Sequence, residues 1–179
     1  MTAPPPDLAA ATRALAARRG PGILAPFDLC ELVEEISARP DLWQPLVIHD
    51  RRRRRYRLLC EDARLDVWVL SWMPGQRTGF HDHGDSGVAL TALQGSVLEH
   101  QIRLGAATIE RELTPGRPRH GGAGYIHSVA HARGEPAVTL HAYSPPLVDV
   151  GQYRAGPDGA LLRARQHGRQ ELLDKTLGA

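Results

Sequence analysis

The stretch Gly75-Gln76-Arg77-Thr78-Gly79-Phe80-His81-Asp82-His83 decides how the rest of this 179-residue chain is read. Side chains alternate along a β-strand, so residues two apart share a face. His81 and His83 can then grip one metal ion while Asp82 points away. Such a pair needs a third ligand from another strand. His127 is the best candidate, with His131 and His141 also in its half of the chain. A lone histidine is more often a surface or hydrogen-bonded core residue, so the pair matters only in its context.

That context is β-rich. Leu65 to Trp72 is an apolar, β-branched run suited to a buried strand. Gly87 to Leu93 and Ser96 to Leu104 flank Gln94-Gly95, which reads as a hairpin turn. Ala107 to Leu113 and Ala137 to Tyr143 alternate and end at Pro115-Gly116 and Pro145-Pro146. Gly156-Pro157-Asp158-Gly159 suits a last hairpin. Strands at intervals of roughly 8–12 residues predict a sandwich or barrel. Ahead of them, Asp7 can cap a helix from Leu8 to about Arg19, ended by Gly20-Pro21-Gly22. A second helix fits Asp28 to Ala38, with Leu29, Leu32, Val33 and Ile36 at helical spacing and Arg39-Pro40 as its stop. The expected division is a helical layer over 1–50, a barrel over 51–165 and a polar tail over 166–179, all in one structural domain.

Composition narrows the class. The net charge is +2, and Lys175 is the only lysine among 22 basic residues. So even a balance argues against a dedicated nucleic-acid binder. Aromatics at 5% leave little for stacking on single strands. Cys30 and Cys60 cannot build a disulfide framework and read as small apolar core residues. No run approaches the roughly 20 apolar residues of a membrane span. The proline-bearing start, Met1 to Ala10, does not read as a signal peptide. A reduced, cytoplasmic, monomeric protein is expected, with no nucleic-acid or membrane partner.

The glycines around the histidines carry a resemblance. Gly75 is followed by five residues, His81-x-His83, four residues, Val88, six residues and Gly95. Later come Gly116, five residues, Gly122-x-Gly124, two residues, His127, three residues and His131. This resembles the two motifs of the cupin superfamily, which implies an all-β, double-sheet jelly-roll barrel with a metal at its mouth. Cupins usually place Glu where Val88 stands, Pro at Gly122 and Asn at His131. Without the Glu, three neutral imidazoles remain, and coordination positions stay open for substrate and O₂.

The resemblance narrows to the cysteine dioxygenase family of thiol dioxygenases. His81-Asp82-His83-Gly84-Asp85-Ser86 is similar to that family's first motif. Glu135-Pro136-Ala137-Val138-Thr139-Leu140-His141-Ala142-Tyr143-Ser144-Pro145-Pro146 is similar to its closing signature. Together they cover roughly Tyr56 to Leu147. The family implies an Fe(II) centre on His81, His83 and His127 that adds both atoms of O₂ to a thiol sulfur. It also implies a catalytic relay of Thr139, His141 and Tyr143, which strand parity puts on one face. Thr139 replaces the family's serine. Val88 stands where animal members carry a cysteine crosslinked to the tyrosine, so no such crosslink can form.

Substrate recognition is read less sharply. The family uses an arginine on a strand before the metal motif, and here the segment is Arg51-Arg52-Arg53-Arg54-Arg55-Tyr56-Arg57-Leu58. Arg55 and Arg57 share a face. Arg57 ranks first and Arg55 second, while Arg51 to Arg54 read as a solvated stretch. Apolar Leu58 at the family position is the other alternative. The expected substrate is L-cysteine, oxidised to its sulfinic acid. The alternatives are another small thiol such as 3-mercaptopropionate, or a non-catalytic cupin that holds a metal or ligand. In the 3-mercaptopropionate family a Trp-Gly pair follows the first metal motif, and Asp85-Ser86-Gly87 does not match it.

Overall fold

The computed structural model describes residues 5–103, 105–156 and 160–167. The helices come first, and prolines start them. α1 (Pro6–Ala17) begins with proline in its first turn and Pro5 at the cap position. Asp7 is therefore inside the first turn and not the cap, and the helix ends two residues before Arg19. Proline suits this place because its fixed φ is helical and its missing N–H would be unsatisfied anyway. α2 (Pro26–Ser37) likewise starts ahead of Asp28, whose carboxylate accepts the Ala25 N–H at 3.3 Å. Arg39-Pro40 ends α2, and Pro40 opens a further short helix, α3 (Pro40–Trp43). A 3₁₀ turn (Gln44–Leu46) leads on to the strands.

Eleven strands follow among the described residues. They are β1 (Arg55–Glu61), β2 (Asp66–Trp72), β3 (Phe80–Asp82), β4 (Gly87–Gln94), β5 (Val97–Ile102) and β6 (Ile109–Leu113), then β7 (Arg119–Gly121), β8 (Ile126–His131), β9 (Ala137–Ser144), β10 (Asp149–Ala155) and β11 (Leu161–His167). One sheet has the order β1-β2-β9-β4-β7, the other β11-β10-β3-β8-β5-β6. All named pairings are antiparallel. This is the expected all-β double-sheet jelly roll.

β2 shows why its sequence is apolar on both faces. Trp68, Leu70 and Trp72 face the space between the sheets, where they meet Val88, Leu90, Val97, Val129 and Val150. Val67 and Val69 face the other way, into a second core shared with Leu29, Leu32, Val33 and Ile36 of α2. A strand covered on both faces loses the polar alternation of a half-exposed one. Full burial of each α2 side chain is worth about 1.5–3 kcal/mol, so the helical layer is bound to this sheet by packing.

Two turn readings resolve differently. Gln94-Gly95 does not close a hairpin, because β4 belongs to the first sheet and β5 to the second. The turn carries the chain across the sandwich. Gly95 takes φ +60°, and a Cβ there would sit 3.0 Å from the Pro136 carbonyl oxygen. A tight turn has the same local sequence whether it returns to its own sheet or crosses to the other. The final hairpin does form. β10 pairs with β11 from Asp149↔His167 to Ala155↔Leu161, and the Gly156 N–H donates to the Ala160 carbonyl at 2.7 Å. Pro157 to Gly159 and the tail beyond His167 lie outside the described residues. β11 itself runs two residues into the segment expected to be tail. No helix among the described residues is long and apolar enough to cross a membrane.

Candidate metal centre

β3 and β8 run side by side, and their register sets His81 opposite His127. His83 follows β3 directly. The three rings converge, with centroids 4.7–5.1 Å apart, and one ligand atom from each lies within 4.8 Å of the others. All three are buried. Among the described residues this is the one group of three or more His, Cys, Asp or Glu side chains placed to hold a metal ion.

Hydrogen bonds decide which nitrogens face inward. The Gly79 carbonyl lies 2.9 Å from His81 Nδ1. A carbonyl only accepts, so Nδ1 carries the proton and Nε2 keeps a lone pair for a metal. At His127, Nδ1 donates to Glu99 Oε1 at 2.8 Å, and Tyr125 Oη donates to the same oxygen at 2.9 Å. Glu99 is fully buried. Burial alone would push its carboxyl up, but the hydrogen bonds from His127 and Tyr125 and the Arg111 charge hold it below the usual value. The same burial and the carboxylate beside it push the Tyr125 phenol up. A carboxylate behind an imidazole fixes its tautomer and raises its basicity as a ligand. These donors fit a borderline metal ion with open positions, and Val88, fully buried in β4, offers no further ligand.

β9 carries the polar chain expected from its parity. His141 Nδ1 lies 3.2 Å from Tyr143 Oη, and His141 Nε2 lies 3.0 Å from Thr139 Oγ1. Trp72 joins it from β2, donating from Nε1 to Thr139 Oγ1 at 2.8 Å. The Tyr143 ring packs 5.0 Å from the His83 ring, so the chain ends beside the histidine cluster.

Within the arginine run, Arg54 departs from the solvated stretch expected of 51–54. Arg54, read as solvated, is 3% exposed, and its guanidinium carbon lies 4.7 Å over the Trp72 ring. It lines one small cavity with Leu70, Thr78, His81, His141 and Tyr143. Arg55 and Arg57 do not line it. Arg55 turns outward to Asp50, with Nη2 2.6 Å from Oδ2. Arg57 is half-buried opposite Val69, on the strand face turned to the helices. The reason is parity: Tyr56 and Leu58 pack on the core between the sheets, and Arg54 is the basic residue in step with them.

Glu99, Tyr125 and Trp72 occupy no motif position in the sequence, and the fold alone brings them to the site. For Glu99 a signal existed, because it shares a strand face with buried Val97. His131 lies outside the cluster and meets the Glu135 carbonyl at 3.0 Å. His100 pairs with Glu110 across β5 and β6.

Comparison with known proteins gives the family and the fold. The profile for cysteine dioxygenase type I matches residues 27–155. The zebrafish cysteine dioxygenase type 1 is 29% identical over 137 residues, covering 67% of this chain and 65% of the relative. The rat protein of the same name is 27% identical over 128 residues, covering 65% and 63%. The match thus spans a little under two thirds of these relatives. Among solved structures, one from Thermus thermophilus superposes with a TM-score of 0.52 at 23% identity, covering 57% of this chain and 93% of its own. A Klebsiella pneumoniae protein with a double-stranded β-helix domain gives 0.51 at 18%, covering 69% and 94%. These two speak for the fold alone. With a profile match over most of its length, a double-sheet barrel and three histidines gathered between paired strands, the chain belongs to the cysteine dioxygenase family.

Proposed function

We propose that this chain is a mononuclear non-haem iron thiol dioxygenase that oxidises L-cysteine to cysteine sulfinic acid. The observation that carries the reading is one cavity bordered by His81, Arg54, His141 and Tyr143, with His83 and His127 against His81. A buried guanidinium, a phenol and three imidazoles converge there. His81, His83 and His127 would hold the iron, which would supply redox activation of O₂. The balance is self-contained: the thiolate sulfur loses four electrons, O₂ gains four, and both oxygen atoms end on sulfur.

The chain's own residues supply position and charge. Arg54 pairs with the substrate carboxylate in a fork geometry, and Trp72 beneath it keeps the guanidinium level. Trp72 Nε1–H occupies a lone pair of the Thr139 hydroxyl, which can then donate to His141 Nε2. In that arrangement His141 Nδ1–H donates to the oxygen of Tyr143, which lines the cavity. Leu70 and Val129 on the cavity wall limit water there.

The test is oxygen uptake by iron-loaded protein across a panel of small thiols, with iron content measured alongside. One O₂ consumed per L-cysteine, with sulfinate as product, is expected. Uptake with 3-mercaptopropionate alone would move the substrate, and no uptake with any small thiol would sink the enzyme reading. Tyr143→Phe should keep its iron and turn over roughly 100-fold more slowly, the usual scale for losing a positioned proton donor.

A further inference from the structure

Asp82 lies between two of the histidines but turns away from them, and it accepts five hydrogen bonds from four residues. Arg163 of β11 grips it through both oxygens, with Nε 2.6 Å from Oδ2 and Nη2 2.9 Å from Oδ1. Tyr153 of β10 donates its hydroxyl to Oδ2 at 2.6 Å. The Gly151 N–H donates to Oδ1 at 3.1 Å. The Gly84 N–H donates to Oδ1 at 2.9 Å, immediately after His83. The carboxylate therefore ties the residue following His83 to the strand pair β10–β11. An ordinary surface ion pair contributes little. This one differs, because the Asp82 side chain is 5% exposed and the pairing is bidentate.

The surrounding backbone is shaped to admit it. A Cβ at Gly151 would sit 2.3 Å from Arg163 Nε and 2.4 Å from Asp82 Oδ2, so only glycine leaves the space. Gly84 takes φ +60°, a turn that brings its N–H back to the carboxylate. Strand pairing adds a second restraint, since Gly151 and Gln152 stand opposite Asp82 and His81.

We propose that Arg163 is a positioning residue of the metal centre: through Asp82 it fixes the backbone of residues 81–84, and so the angle at which His81 and His83 present their rings. Tyr153 is its partner in this latch. The inference rests on the metal site described above and extends it to a strand that touches no ligand histidine directly through Arg163. It assigns the β10–β11 hairpin a part in metal affinity.

The experiment uses the full chain, stripped of metal and titrated with Co(II) as the probe, reading affinity and the visible Co(II) bands, with melting of the metal-free protein alongside. Arg163→Ala is expected to weaken Co(II) binding roughly 10- to 100-fold, the range for residues that orient ligands from behind, and to shift the bands. Arg163→Lys, which keeps charge but cannot span both oxygens, should recover part of the loss. Tyr153→Phe, which preserves the ring, should show a smaller effect in the same direction and carries the test if Arg163→Ala does not fold. Lowered melting with parent affinity and parent bands in both Arg163→Ala and Tyr153→Phe would overturn the latch alone. A parent protein that takes up no Co(II) would overturn the metal site and the latch together.

Discussion

His127 and the His81–His83 pair face each other across paired strands, yet they are steadied from opposite directions. Behind His127 stands Glu99, fully buried, bonded straight to the imidazole and shared with Tyr125. At His81 the ring nitrogen Nδ1 donates to the Gly79 carbonyl. The backbone that carries His81 and His83 is also held through Asp82 and the half-exposed Arg163. The first arrangement sets a tautomer and a basicity. The second sets where a turn lies. One centre thus draws on a direct bond inside the barrel and on an indirect one from its rim.

The largest break in this comparison comes from removing a ring. His83→Ala should abolish stable metal binding, read as iron content after purification; full retention would mean the cluster is not the metal site. Next is the direct brace. Glu99→Ala leaves a buried imidazole N–H and a phenol with no acceptor, which should cost about 1–3 kcal/mol in a denaturant melt. It should also weaken metal binding roughly 10- to 100-fold by titration. A metal affinity equal to the parent's would show that the carboxylate serves the fold alone.

The same contrast between inward and outward side chains runs through the arginines. Arg54→Ala should lower kcat/KM for L-cysteine about 10- to 100-fold, the worth of a charged hydrogen bond of roughly 1.5–3 kcal/mol. Arg55→Ala removes only the pair with Asp50 at the surface and should leave kcat/KM unchanged. Steady-state oxygen consumption decides between them, and the reverse pattern would restore the outward arginine as the substrate contact.

The smallest effect sharpens the latch itself through pH. Burial pushes the Asp82 carboxyl up, but hydrogen bonds from Arg163, Tyr153 and the Gly84 N–H win and hold it far below its ordinary 3.8. A carboxyl lowered in the folded state stabilises the fold above its unfolded value, and that stability is lost as pH falls through the folded value. The stability gap between parent and Asp82→Asn should therefore be full near about pH 6 and narrower near about pH 3 in metal-free melts. A gap of equal size at both would show that an ionised Asp82 contributes nothing.

Local rules carried much of the architecture and the heart of the site. The alternation in His81-x-His83 and in Thr139-x-His141-x-Tyr143 assigns faces without knowing the fold, because strand parity is a property of adjacent residues. The α2 stripe Leu29, Leu32, Val33 and Ile36 is legible for the same reason at helical period, and all four are buried. Where short-range rules competed, they misled. Arg39-Pro40 reads as a stop, yet Pro40 also begins α3, since proline both ends one helix and suits the first turn of the next. Gln94-Gly95 reads as a hairpin but crosses between sheets, because a turn's residues do not record which strand they will pair with.

What the chain determined by itself is the set of histidines, their parity and the strands that carry them. Tertiary structure decided the rest. Parity sets Arg54 on the same face as Tyr56 and Leu58, but that this face is the one turned to the core between the sheets is decided by tertiary packing. Glu99 meets His127 across 28 positions, and Arg163 meets Asp82 across 81. Such pairs have no period to betray them, because sheet pairing and not spacing along the chain brings the two side chains together.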